Sequence, residues 1–469
     1  MRRSLLALGL MGFMSMAMAA DGTTGATASA DGKTGATAAA AAGAAAMTAN
    51  LCLPQEFGGV ADGKSLNTAA IQQAIDKCAA LGGGEVRLSE GLWLSGPLEL
   101  KSNIMLNIVA NATLKADNRA NDFVAAYIGT PTQPKEAFLL ANNAQNVMIT
   151  GSGTIDGSGE EIWWNEALEV RKAVRSGNAK VFEERFPGVK LANGMPRPWL
   201  IELNNVTGGM VYGLNITNSP MWNVVIRNSQ EIGVNNVKIT APTTSPNTDG
   251  IDIVSSKRVH VENVEIFTGD DNIAIKSGVD QGTASASEEI LIENSVMHAG
   301  HGISIGSETA NGIGEVTVRN TTFDQTENGV RIKSARDRGN MIGPLHVSNV
   351  TMEKVSTPIL ITFSYAGNSG AAGLGLVEPL DAMPVTPTTP HVDGVYINNL
   401  KATGANIAAL LSGLPESIVQ NVVLQDVEIE SQMGIQARYV SGAIINTKVE
   451  SADGKPIVRG PDYRMREAR

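Results

Sequence analysis

From residue 200 onward one short pattern returns along the chain. An apolar, mostly β-branched residue is followed by one other residue and then by Asn. It reads Val234-Asn235-Asn236, Val261-Glu262-Asn263, Ile292-Glu293-Asn294, Val318-Arg319-Asn320, Val347-Ser348-Asn349 and Ile397-Asn398-Asn399, with Leu424-Gln425-Asp426 continuing it. The steps between these positions are 27, 31, 26, 29, 50 and 27 residues, and 50 is about two units. A period in this range, with alternating apolar residues inside it, predicts stacked β-coils. Helices are excluded there, since their apolar spacing would be three and four. The repeated Asn is expected to bond backbone groups of the coils above and below. Asn111, Asn205, Asn215, Asn320 and Asn349 also open Asn-x-Thr triplets. We read these as turn and strand chemistry rather than as glycosylation sites.

A second repeat lies between the Asn positions. It reads Asp249-Gly250-Ile251-Asp252-Ile253-Val254, Asp271-Asn272-Ile273-Ala274-Ile275-Lys276, His301-Gly302-Ile303-Ser304-Ile305-Gly306 and Asn328-Gly329-Val330-Arg331-Ile332-Lys333, with Trp222 to Arg227 in the same phase. The Ile/Val pairs are expected to point inward and the residues between them outward. Stacking then makes three outer columns. The first is Trp222, Asp249, Asp271, His301 and Asn328. The second is Val225, Asp252, Ala274, Ser304 and Arg331, and the third is Arg227, Val254, Lys276, Gly306 and Lys333. At the usual strand spacing, carboxylates, an imidazole and cations converge within roughly 15 Å.

Glycosidic bond cleavage needs one carboxylic acid and one carboxylate. Asp249 and Asp271 share a column and Asp270 flanks them, so at least one of the three is expected to hold its proton tightly. Arg331 and Lys333, on a face expected to meet solvent, suit a substrate that carries carboxylates itself. Aromatics make up only 4% of the chain, which disfavours a stacking platform for neutral sugars. The formal charge of −11 argues against nucleic acid or an anionic membrane as partner. With five His and two Cys in the chain, and cations among the acids, no metal or other cofactor is expected.

The N-terminal residues read differently. Arg2 and Arg3, an apolar run and the small residues Ala17, Ala19 and Ala20 form a signal-peptide pattern over residues 1–20. Residues 21–49 are a Gly/Thr/Ala leader expected to be disordered, with a helix across the Ala run as the alternative. Residues 50–469 are expected to form one solenoid domain. Export makes a Cys52–Cys78 disulfide the expected pairing. Cys78 ends a helical pattern in which Ile71, Ile75 and Cys78 share a face and Asn67 is placed to cap the start.

At the second repeat the sequence resembles the polygalacturonase family of glycoside hydrolases, number 28. Asn247-Thr248-Asp249, Gly269-Asp270-Asp271, Gly300-His301-Gly302 and Arg331-Ile332-Lys333 carry the likeness, which extends over about residues 50–469. The resemblance implies an all-β, right-handed, single-stranded parallel β-helix with an N-terminal capping helix. It implies inverting hydrolysis of α-1,4-galacturonan by a secreted, extracellular or periplasmic, monomeric enzyme. Asp270 would be the general acid. Asp249 and Asp271 would hold the water, and His301 would support the acid. Arg331, Lys333 and Tyr365 would bind galacturonate, with Asn247 and Asp252 lining the same subsites. The wording His301 to Thr309 favours endo action, with exo action as the alternative. Two long segments, 159–196 and 366–392, interrupt the repeat. A calcium-dependent lyase, which would yield unsaturated products, a rhamnogalacturonan hydrolase and a non-catalytic sugar-binding or adhesin spine are the other readings.

Overall fold

The computed structural model describes residues 43 and 45–468, apart from 118–121, 162, 188–194, 368–369 and 372. The signal pattern and leader residues 21–42 and 44 lie outside the described residues. The end of the leader departs from the disorder expected of it. Residues 45–49 are helical, and Met47 is buried against Met105, Met148 and Met210.

Through the central coils strands pair in parallel with the third strand onward, so those coils contribute to three stacks. These are the stacked β-coils expected from the period of about 27 residues, in the right-handed parallel β-helix that the family resemblance implies. One stack carries the second repeat. Its strands are β1 (Trp199–Asn204), β2 (Val224–Arg227), β3 (Ile251–Val254), β4 (Ile273–Lys276), β5 (Ile303–Ile305), β6 (Asn328–Lys333) and β7 (Thr357–Thr362). Asp252, Ala274, Ser304 and Arg331 are register partners in succession, as are Val254 and Lys276. The inward pairs Ile251/Ile253, Ile273/Ile275, Ile303/Ile305 and Val330/Ile332 belong to one continuous apolar core. Each side chain contributes roughly 1.5–3 kcal/mol of burial free energy.

The turn asparagines do something other than expected. Asn294, Asn320, Asn349 and Asn399 all hold a left-handed backbone, with φ between 50° and 55°. Asn tolerates that conformation better than other side-chain-bearing residues. Their amides bond each other rather than the neighbouring backbone. Asn320 donates to Asn294 at 3.2 Å, Asn349 to Asn320 at 3.2 Å and Asn399 to Asn349 at 2.9 Å.

Helix α1 (Thr68–Ala80) closes the N-terminal end of the core with Ile71, Ile75 and Cys78 buried. Cys78 is bonded to Cys52, stapling α1 to the first described strand. Asn67 does not cap α1 with its side chain. Its Oδ1 instead accepts from Val60 N at 2.7 Å, and its Nδ2 donates to the carbonyls of Val60 and Ser65. That tie fastens the incoming loop, which a cap would leave free. The 159–196 segment contains helices α2 (Trp163–Arg175) and α3 (Lys180–Arg185). No helix among the described residues is long and apolar enough to cross a membrane.

Candidate active site

The paired acids stand in the turn that feeds β4. Gly269 allows that turn, because a Cβ there would lie 2.2 Å from Ser245 O. His301 approaches from the next coil through Gly302, whose φ is +79° and whose Cβ would lie 2.1 Å from Asn328 O. Only glycine accommodates both demands. His301 N donates to Asp270 O at 2.9 Å.

Asp271 is fully buried. It accepts from Ser304 Oγ at 2.9 Å, Lys333 Nζ at 2.7 Å and the Arg331 guanidinium. Burial pushes its carboxyl up, but the charges of Lys333 and Arg331 outweigh that and hold it well below the usual carboxylate range. Asp270 Oδ1 lies 3.1 Å from His301 Nδ1, and its Oδ2 accepts from Asn247 Nδ2 at 3.4 Å. Burial again pushes upward; the hydrogen bond and charge of His301 win, and Asp270 is lowered. His301 Nε2 is 3.2 Å from Glu327 Oε2.

Asp249 and Asp252 behave in the opposite way. Both are buried, and Asp249 Oδ1 and both oxygens of Asp252 have no hydrogen-bond partner. Burial raises Asp249 well above its ordinary value, and the charges of Asp270, Asp252 and Asp271 add to it. Burial raises Asp252 as well, against the opposing charge of Lys276, whose Nζ is 3.8 Å from Asp252 Oδ1. A raised carboxyl is present as expected, but it belongs to these two residues and not to Asp270.

Arg331 and Lys333 are not on a solvated face. Their exposures are 2% and 4%. Pairing with Asp271 draws both inward, and the excursion after Tyr365 packs Ala371 and Leu374 on Leu360, the next member of the Arg331 column. Tyr365 stands beside them, its ring 5.4 Å from Lys333 Nζ. Burial raises its phenol to about 12, so it remains a hydroxyl donor.

Several residues beyond the sequence motifs complete the site. Lys276 Nζ is held by Glu308 Oε2 at 3.1 Å and lies 4.8 Å from the Trp222 ring centroid. Arg197 is buried and donates to the carbonyls of Met195, Pro220 and Pro246 and to Asn247 Oδ1. Arg171, from α2, donates to the same Asn247 oxygen at 2.6 Å. Two coils upstream of Asp252 in its column sits Glu202. Glu202 and Glu136 are fully buried, at 3.6 and 3.5 Å from Arg227 Nη1. Burial, then the charge of Glu136, pushes Glu202 up to about 9. Glu308 lay within reach of sequence reasoning, three residues past Ile305. Arg171 and Glu136 carried no signal.

Asp270, Asp271 and His301 offer ligand atoms within 4.8 Å of one another, a spacing a metal ion could use. A cation there would compete with Lys333 and Arg331 for the Asp271 oxygens. A second such group, His260, Glu262 and Glu293, lies on another stack, and Arg319 already bonds Glu293 at 2.6 Å.

The family model for glycosyl hydrolases family 28 matches residues 83–433, which contain all of these groups. The chain belongs to glycosyl hydrolase family 28. This family 28 chain is 34% identical over 322 residues to an endo-polygalacturonase of Pectobacterium carotovorum subsp. carotovorum, covering 66% of the chain and 74% of that protein. Among solved structures it is similar to an exopolygalacturonase of Thermotoga maritima, with a TM-score of 0.72 at 27% identity over 86% and 92% of the two chains. It is also similar to a polygalacturonase of Erwinia carotovora ssp. carotovora, with a TM-score of 0.59 at 27% identity over 90% and 96%.

Proposed function

We propose that the protein is a polygalacturonase that hydrolyses the α-1,4 bonds of polygalacturonate with inversion and without a metal. The observation that carries this reading is the ion-paired acid cluster: Asp270 on His301 beside Asp271 on Arg331 and Lys333. Asp270 is the general acid. Asp249 and Asp271 hold the water, and Asp271, the one that stays ionised, activates it. His301 acts on the acid, while Arg331, Lys333, Tyr365, Asn247 and Asp252 bind sugar.

In the free site the readily protonated carboxyls are Asp249 and Asp252, and Asp270 is an anion stabilised by His301. An arriving galacturonate adds negative charge next to His301 and Lys333. That opposes the forces lowering Asp270 and raises its proton affinity when the leaving oxygen is in reach. Reducing-sugar release from polygalacturonate, lost in Asp270→Asn, tests the assignment. No release by the wild type overturns it.

Exo action is a second reading beside the endo action favoured by the sequence. It is favoured by the 159–196 segment, whose helix α2 brings Arg171 onto Asn247 beside Asp270. The similarity to an exopolygalacturonase is in keeping with it. Early products of mixed size mean endo action, and monomer or dimer alone means exo. Export, with action as a monomer, completes the proposal; it is supported by the N-terminal signal pattern and the Cys52–Cys78 bond.

A further inference from the structure

Residues 122–135 leave the solenoid, cross its outer face and return. Val124 N donates to Lys135 O at 2.9 Å, which closes the base of the excursion. On the side where the strands begin, Ala126 N donates to Arg197 O at 3.0 Å, two residues before β1. A turn follows, with Thr130 N donating to Tyr127 O at 3.2 Å. On the side where the strands end, a Cβ on Gly129 of that turn would lie 2.9 Å from Val279 Cγ2, three residues past β4. Between these two footholds Ala126 and Ile128 share an apolar cluster with Trp199, Trp222, Val225 and Val254. The segment therefore runs over β1 and β2, from strand starts to strand ends.

The outward positions beneath it are closed to solvent. Val225 and Val254, in the columns of Asp252 and Lys276, are 0% and 2% exposed. A buried charge cluster that the proposed mechanism does not use ties the crossing down. Arg227, the last residue of β2, faces Glu136 and Glu202 with Nη1 and donates through Nη2 to Thr130 O. Thr132 Oγ1 donates to Glu202 at 3.3 Å. Taking three ionisable groups out of water is costly. What the molecule gains is a backbone carbonyl of the crossing held at one fixed point.

Strand β2 pairs with β3, which carries Asp252 and begins two residues after Asp249. The crossing thus lies one strand spacing, ~4.8 Å, from the reacting acids on their N-terminal side. At the other end, Ala371 and Leu374 cover the face from Leu360, in the strand after Arg331. Between the two coverings lie β3 to β6, three spacings or roughly 14 Å. A polymer bound lengthwise in mid-chain needs a face open at both ends. A face bounded in this way suits a chain end.

We infer that residues 122–135 form a strap that closes the N-terminal end of the groove, so that the enzyme takes a polygalacturonate chain by its end and releases a short product of one length. The inference rests on the proposed polygalacturonase reading and sharpens its exo form. Glu136, Glu202 and Arg227 are positioning residues, acting on product length through the strap.

The test is product sizing during hydrolysis of polygalacturonate, and of oligogalacturonates of several lengths labelled at the reducing end. Absence of wild-type turnover overturns the polygalacturonase reading, and the inference with it. Given turnover, the wild type is expected to form one short product from the start and to cut every labelled oligomer at the same distance from one chain end. Mixed early products from the wild type overturn the inference alone. Two variants then assign the closure to the strap. In one, residues 125–134 are replaced by Asn-Gly across the Val124–Lys135 bond. In the other, Gly129→Leu displaces the turn from Val279 and leaves the apolar core untouched. Both are expected to shift the products from one length to several, with circular dichroism as in wild type. A folded variant that still yields one length places the closure elsewhere and overturns the inference.

Discussion

Lys333 Nζ lies 2.7 Å from Asp271 Oδ2, with the two side chains 6% and 1% exposed, so a sugar-binding candidate is also the counter-ion of a catalytic candidate. Lys333→Ala should therefore lower stability as well as substrate affinity. Removing one partner of a buried pair costs about 3 kcal/mol, less where Arg331 stays as a second partner. Denaturant unfolding measures it. The sign with pH is fixed by Asp271, whose folded-state pKa is depressed. Its stabilisation is present above the unfolded value of about 3.9 and is lost as pH falls below it. That acid-side loss should be smaller in Lys333→Ala than in wild type.

Asp270→Asn can keep an oxygen toward Asp271 N and His301 Nδ1, sets its NH2 against the weak bond from Asn247 Nδ2, and removes the transferable proton. The fold persists and kcat falls by about 10²–10⁴-fold, the usual worth of a positioned acid. Circular dichroism and reducing-sugar release on the same sample separate the two effects.

Glu202 provides an alkaline counterpart. Its folded-state pKa of about 9 stands above the usual 4.5. The folded chain then holds a proton that the unfolded chain has released, so stability falls as pH rises between these values. Glu202→Gln, nearly isosteric and uncharged, removes that slope. Melting temperatures at pH 5, 7 and 9 should fall less for the variant than for wild type.

Reducing the Cys52–Cys78 bond frees a loop of sequence separation 26 and detaches α1 from the first strand. A cost of about 3 kcal/mol is expected for a loop of this size. The same loss in Cys52→Ser/Cys78→Ser without reductant would confirm that the bond, not the reagent, is responsible.

The columns were readable because side chains alternate along a strand and coils stack in register. Asp252, Ser304 and Arg331 therefore meet as their spacing requires. What spacing does not carry is depth. Lys333 occupies an outward position, yet it is buried where it pairs with an acid from two coils away. Protonation was equally hidden: repulsion among acids was legible, but its outcome depended on which of them His301, Arg331 and Lys333 touched. Arg171 reaches Asn247 across 76 residues of chain from a segment outside the repeat, and no periodicity leads to it.

The register has a consequence for how such a protein can change over time. Asp249, Asp271, His301 and Lys333 come from four successive coils, each touching chiefly the coil before and after it. A whole coil gained or lost outside residues 249–333 leaves their mutual distances as they are. One gained inside pulls the acids from the cations by a strand spacing of roughly 4.8 Å. Length is thus free to drift at both ends of the rod, while the four central turns behave as an indivisible cassette.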